Sequence, residues 1–261
     1  MNTAAKGASF TREEHRVNGI KVALLTAGEG EPLLFLHGAG TFHGFDFALP
    51  WAEKHKVIIP FHPGFGESAD DPSITGMHDY VMHYVELLDQ LGLAKVNLVG
   101  FSLGGWMAAA FAMEHGHRVK KLVLVAPAGL KVADHPMVDI FRIPGEELPG
   151  YLVTDINVIL PHLPKGHDID FIVDRYREMT TVARIVWEKP FDRTLPRWLH
   201  RVGKVPTMLL WGEKDRLIPV GQAKAWQQLI PNSTVHTEAK AGHLVLDESP
   251  AAVRAVGKFL S

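Results

Sequence analysis

Gly100-Phe101-Ser102-Leu103-Gly104-Gly105 is the stretch on which the reading of this chain turns. It follows directly on the apolar run Val96 to Val99 and leads into the alanine-rich segment Trp106 to His115, which Gly116 closes. A short apolar run bounded by glycine reads as a buried strand, and the alanine-rich segment as a helix. A serine between glycines at such a strand-to-helix junction is expected on a strained turn. There a side chain at either flank would collide with the neighbouring elements. Ser102 would then stand clear of the sheet, close to the positive end of the following helix.

A serine hydroxyl is a poor nucleophile at neutral pH, so the reading requires a base and an acid elsewhere in the chain. Downstream, the strand-like run Thr207 to Trp211 is followed by Gly212-Glu213-Lys214-Asp215-Arg216, and a weaker strand signal at Thr234 to Thr237 by Lys240-Ala241-Gly242-His243-Leu244. Asp215 is the expected orienting acid and His243 the expected base, in the order serine, acid, histidine. Glu213 and Asp247 are rivals for the acid. Asp247 stands so near His243 in sequence that a helix cap or a loop brace is the better expectation for it.

Acyl transfer also needs donors for an oxyanion. Upstream of the quoted stretch, the run Leu33 to Leu36 ends in His37-Gly38-Ala39-Gly40, and the amides of Ala39 and Leu103 are the expected donors. His37 is read as a brace for that turn. Gly38, Gly40, Phe101 and Leu244 are expected beside the substrate, together with Trp187.

Further apolar runs, Ile20 to Leu25, Val57 to Pro60 and Leu122 to Val125, alternate with helical patterns at His78 to Leu91, Gln222 to Leu229 and Ala251 to Leu260. This alternation predicts an α/β fold, a mostly parallel sheet covered by helices. Residues 128–201 break the rhythm. Pro136, Pro144, Pro149, Pro161, Pro164, Pro190 and Pro196 divide them into short helical pieces, which read as a helical cap inserted into a core formed by 1–127 and 202–261. Within the cap, Ile172, Tyr176, Met179, Ala183 and Val186 share one helical face, expected to pack on the core below or to line a pocket.

Composition narrows the chemistry. The 261 residues include no cysteine, which excludes a thiol nucleophile, disulfides and thiolate metal sites. Fifteen histidines are present, but pairs such as His115 and His117 lack acidic partners at ligand spacing, so neither metal nor cofactor is expected. With 27 basic against 29 acidic residues and no charged block, no nucleic-acid partner is indicated. No apolar run approaches the roughly 20 residues of a membrane span, and Met1 to Phe10 lacks the apolar core of a secretory signal. A cytoplasmic location without a membrane partner is the expectation; the oligomeric state is left open.

On these residues the chain resembles the α/β-hydrolase superfamily from about Val17 to Leu260. The likeness is to its compact capped members, which include carboxylesterases, haloperoxidase-like perhydrolases and hydrolases of ring-cleavage products. The landmarks are His37-Gly38, Pro63-Gly64-Phe65-Gly66-Glu67-Ser68, the turn at Ser102, Gly212-Glu213-Lys214-Asp215 and Gly242-His243. The resemblance implies an eight-stranded sheet. Serine at 102 disfavours epoxide opening and halide displacement, whose enzymes carry aspartate there. Many relatives have aspartate before the Pro-Gly turn, where this chain has His62. Carbon–carbon bond hydrolases of the group usually carry tryptophan after the catalytic histidine and an arginine in the cap; here Leu244 follows His243, while Arg175, Arg177 and Arg184 supply cap arginines.

The implied reaction is hydrolysis of a small-molecule carboxylic ester through an acyl-enzyme. Phe141, Tyr151, Phe171, Trp187, Phe191 and Trp198 in the cap suggest a small to medium apolar substrate. Two alternatives stand: a carbon–carbon bond hydrolase acting on a ring-cleavage-type diketone, and a small-molecule receptor that keeps the three residues.

Overall fold

A computed structural model describes residues 9–188 and 190–261. Eight strands form one sheet: β1 (Thr11–Val17), β2 (Ile20–Ala27), β3 (Glu31–Leu36), β4 (His55–Pro60), β5 (Val96–Phe101), β6 (Val119–Val125), β7 (Thr207–Gly212) and β8 (Ser233–Glu238). Their order across the sheet is β1-β2-β4-β3-β5-β6-β7-β8. The first two strands run antiparallel to their neighbours and the rest pair in parallel. β5 and β7, in the middle and toward one edge, are buried at every position, as strands covered on both faces must be.

The helices are α1 (Met77–Gln90), α2 (Leu103–His115), α3 (Leu148–Leu152), α4 (Ile169–Val186), α5 (Leu195–Trp198), α6 (Gln222–Leu229), α7 (Val245–Glu248) and α8 (Pro250–Leu260). α2 packs on β5 and α1, and α8 packs on the helical turns at Asp46–Glu53, where the Trp51 indole N–H donates to the Val253 carbonyl at 2.9 Å. α2 is apolar all round, with Leu103 to Met113 buried, because strands and helices enclose it.

β1 carries no apolar run. Its sequence, Thr-Arg-Glu-Glu-His-Arg-Val, is mostly solvent-facing, since an edge strand with one partner has little to bury. Periodicity could not reveal it.

Among the described residues, 126–206 contribute no strand to the sheet and contain α3, α4, α5 and short helical turns. The expected packing face of α4 is corrected. Its buried edge is Glu178, Thr181, Val182 and Ile185, whereas Ile172 and Tyr176 are 53% and 77% exposed. A buried carboxylate displaced the apolar stripe from the inside position.

Candidate active site

Ser102 sits at the junction of β5 and α2 with φ 54° and ψ −115°, a conformation costly for a residue with a Cβ. Hydrogen bonds hold it there: its N–H donates to the Val125 carbonyl, and its own carbonyl accepts from Trp106 and Ala128 at 2.9, 3.1 and 3.0 Å. The glycines have the steric reason expected of them. A Cβ on Gly100 would lie 2.4 Å from the Gly104 carbonyl oxygen, one on Gly104 2.2 Å from that of Leu36, and one on Gly105 2.8 Å from Pro127 Cα.

His243 and Asp215 converge on this serine from the loops after β8 and β7. Ser102 Oγ lies 3.0 Å from His243 Nε2, and His243 Nδ1 lies 2.7 Å from Asp215 Oδ2. With the Nδ1–H donated to the carboxylate, Nε2 is left to accept from the serine hydroxyl. Asp215 is itself fixed, its other oxygen accepting from the N–H groups of Leu217 and Ile218 at 2.9 and 2.8 Å. His243 and Asp215 are buried and Ser102 is partly exposed. The serine hydroxyl is therefore open to an incoming molecule while its partners are shielded.

The rivals for the acid go elsewhere. Glu213 accepts from the Thr237 hydroxyl at 2.8 Å. Asp247 receives the Nδ1 of His43 at 3.1 Å and so ties the His243 loop to the loop after β3. The helix cap is Ser249, whose Oγ accepts from the Ala252 N–H at 3.1 Å. Asp247 is thus a brace and not a cap.

His37 and His62 form a second buried unit. His37 Nδ1–H donates to the Gly38 carbonyl at 2.7 Å, and its Nε2 accepts the His62 backbone N–H at 3.0 Å. His62 Nε2–H donates in return to the His37 carbonyl at 2.8 Å, and its Nδ1 meets the Tyr84 hydroxyl. Burial pushes His37 down to about 3 from its ordinary 6.5, and holds His62 well below that value. Both are neutral braces of the turn that carries Gly38 and Ala39.

The amides of Ala39 and Leu103, the expected oxyanion donors, meet no acceptor among the described residues. Gly38 packs against Ser102: a Cβ there would stand 3.0 Å from the Phe101 ring and 3.3 Å from Ser102 Cβ. The Phe101 ring is 4.9 Å from that of His243, and with Leu244, His43, Phe47, Leu246 and Asp247 it bounds a narrow crevice. The crevice is apolar along its walls and polar where His43 meets Asp247.

Gly40 faces residues 169–186 instead. A Cβ on it would come 3.8 Å from an Arg175 guanidinium nitrogen and 3.9 Å from a Glu178 carboxylate oxygen. Glu178, 1% exposed, accepts from the Thr41 hydroxyl at 2.6 Å and from the Gly66 N–H at 3.0 Å, and pairs with Arg175 at 2.7 Å. It pins α4 to two core loops. Arg175 lies between the Phe42 and Phe171 rings, 5.7 and 5.4 Å away. Of the other arginines of α4, Arg184 is bonded to Asp70 and Arg177 pairs with Asp174 and the Gly66 carbonyl. Sequence reading missed Glu178, Thr41 and His43; an acidic residue on an amphipathic helix carries no mark of burial.

Trp187 is corrected. It is 68% exposed, its ring 5.2 Å from that of Phe141, because it falls about five turns beyond Ile169 on the outward side of α4. The other aromatic residues of 128–201 are dispersed as well: Tyr151 lies under Arg216, Phe191 under Lys131 and Trp198 beside Arg197. Phe171 alone of the six has its ring against Phe42, in the loop that continues from Gly40.

No group of acidic or histidine side chains able to hold a metal ion occurs among the described residues, nor any helix long and apolar enough to cross a membrane.

The chain is similar to known proteins in sequence and in fold. The chain is 28% identical over 267 residues to a 2-hydroxy-6-oxo-2,4-heptadienoate hydrolase of Pseudomonas putida, covering 93% of this chain and 94% of that protein. It is 28% identical over 283 residues to Lipase 1 of Psychrobacter immobilis, covering 95% and 86%. A serine hydrolase involved in carbazole degradation shares the fold with a TM-score of 0.79 at 24% identity, over 97% of this chain and 99% of that one. The profile of the alpha/beta hydrolase family matches residues 33–256, most of the sheet and both loops that carry Asp215 and His243. The chain belongs to the alpha/beta hydrolase family.

Proposed function

We propose that this protein hydrolyses a small to medium carboxylic ester through an acyl-enzyme on Ser102. The observation that carries this reading is the unbroken chain Ser102 Oγ, His243 Nε2, His243 Nδ1, Asp215 Oδ2, with its two hydrogen bonds of 3.0 and 2.7 Å ending on a serine in a strained turn. As Oγ attacks the ester carbonyl carbon, His243 takes its proton, and Asp215 stabilises the imidazolium. The carbonyl oxygen, now negative, is received by the free N–H groups of Ala39 and Leu103. Collapse breaks the bond to the alkoxide, which leaves with the proton from His243. Water, deprotonated by the same histidine, then releases the acid.

In this account residues 128–201 act as the cap over a core of 1–127 and 202–261. The dispersal of the cap aromatics, which form no continuous apolar wall, favours a short acyl group over a long chain.

A second reading is hydrolysis of a carbon–carbon bond in a ring-cleavage-type diketone. It is supported by the placement of Arg175 at Gly40, beside the proposed oxyanion loop, and by the likeness to the Pseudomonas hydrolase. Against it, Glu178 already matches the Arg175 charge, and Leu244 stands where such enzymes usually have tryptophan.

The deciding experiment is turnover of p-nitrophenyl esters from acetyl to decanoyl, and of a vinylogous 1,5-diketone acid, by the native protein and by Ser102→Ala and Arg175→Gln. Ester turnover lost in Ser102→Ala and largely kept in Arg175→Gln supports the ester reading. Turnover of the diketone alone, lost in both variants, replaces it with the second. Absence of any turnover by the native protein contradicts both.

A further inference from the structure

α4 presents to solvent the side chains that an amphipathic helix ordinarily buries. Ile169, Ile172, Val173 and Tyr176 are 72%, 53%, 57% and 77% exposed, and their spacing of three and four residues makes them one continuous stripe. The opposite edge of the helix is occupied by Glu178, Thr181, Val182 and Ile185 against the core loops. A contiguous apolar patch of this kind marks a surface that another molecule covers.

The charges beside the stripe identify the occupant. Asp170 and Arg177 flank the same side of it, about two helical turns apart, one near each end; Arg177, bonded to Asp174 and the Gly66 carbonyl of its own chain, still has 42% of its side chain exposed. Two copies of α4 laid antiparallel about a two-fold axis near Val173 bring Asp170 of each opposite Arg177 of the other, while the four apolar side chains of both copies interleave between them. Such self-complementarity is what an isologous interface requires. Covering the stripe on both copies would bury on the order of 1,000 Å², the lower bound of a specific interface. The acidic residues Asp168, Asp170 and Asp174 along the first turns are unsuited to an anionic lipid surface.

We propose that the outward stripe of α4 is the two-fold interface of a homodimer of this chain. The inward edge of the same helix carries Arg175 and Glu178 onto Gly40 and Thr41, so the dimer contact clamps the helix that rests on the loop bearing Ala39. This inference does not depend on which bond the enzyme cleaves.

The test is sedimentation velocity across the micromolar range, with the helical content of each variant checked by circular dichroism. The native chain is expected as a dimer and the double variant Ile172→Glu, Tyr176→Glu as a folded monomer. Asp170→Arg and Arg177→Asp should each weaken association, and the two together should restore it, an outcome that the contacts of Arg177 within its own chain would not produce. Because the chain has no cysteine, Val173→Cys introduces its only thiol, which should oxidise to a cross-linked dimer, whereas Thr180→Cys, displaced from the axis, should not. A native chain that stays monomeric, a dimer that survives Ile172→Glu with Tyr176→Glu, or a stripe that engages only phosphatidylcholine vesicles would each overturn the proposal.

Discussion

The imidazole rings of His37 and His62 are stacked, with centroids 3.6 Å apart and planes 25° from parallel, and all four ring nitrogens already have partners in the neutral state. A further proton on either ring would land on a nitrogen that now accepts, at a site buried from solvent. Both groups are held below their ordinary 6.5, His37 at about 3, by burial. Between the folded and unfolded values the unfolded chain binds more protons, so stability is full above about pH 6.5 and declines as pH falls toward 3. At about pH 5 the loss for His37 is on the order of 2 kcal/mol, and His62 adds to it in the same direction. The melting temperature should therefore drop between neutral pH and pH 5, above the range in which carboxylates such as Asp70 titrate. His83, which burial lowers to about 4, contributes in the same window, so the contribution of the stacked pair is read as the flattening of this pH dependence in His62→Gln.

Asp215 and Asp247 are both within hydrogen-bonding distance of a histidine, but only Asp215 is bonded to His243; Asp247 is bonded to His43. Replacing Asp215 by Asn leaves the geometry and favours the wrong tautomer of His243, and should lower kcat by about 10⁴. Asp247→Asn should cost less than about tenfold, a loosened loop rather than a lost partner. Steady-state kinetics on the best p-nitrophenyl ester measure both, and equal losses would contradict the assignment of the acid.

Gly104 and Gly40 are both in glycine-rich turns beside the site, yet they should respond oppositely to alanine. The new Cβ at 104 would enter the carbonyl oxygens of Leu36 and His37 at 2.2 and 2.3 Å, in backbone that cannot move without dismantling β3. At 40 the nearest atom is 3.7 Å away, ordinary contact. Gly104→Ala should fail to give soluble folded protein, and Gly40→Ala should fold with a melting temperature close to native.

Glu178 joins α4 to Thr41 and Gly66 from a buried position. Glu178→Ala would leave the Arg175 charge and three donors, the Thr41 N–H and hydroxyl and the Gly66 N–H, without their partner, for a loss of about 2–4 kcal/mol. Denaturant titration should show it, and KM for the ester should rise more than kcat falls, since the residue positions the helix over the site and touches no reacting atom.

The parts of this molecule that could be read from its residues are those where local chemistry and tertiary role coincide. A parallel strand buried on both faces must be apolar, so β3 and β5 are visible as runs; a strained turn must have glycine, so Ser102 stands out. Asp215 and His243 were legible because their loops follow strand signals in a fixed order. β1 has no such constraint, being an edge strand with polar residues on both faces. In α4 the apolar stripe points outward and a carboxylate points inward, a reversal that depends on Thr41 and Gly66 more than a hundred residues away in the chain. The aromatic character of Trp187 points to the site, but the turn of the helix carries the side chain to the surface.

The claim that Ser102 is the nucleophile is tested most directly by reacting the protein with a fluorophosphonate and locating the adduct by intact-mass and peptide mass spectrometry. One adduct per chain, on the peptide that contains Ser102, absent from Ser102→Ala and slowed in His243→Ala, is the expected result. An adduct on a different residue, or none while ester turnover persists in Ser102→Ala, would contradict the account.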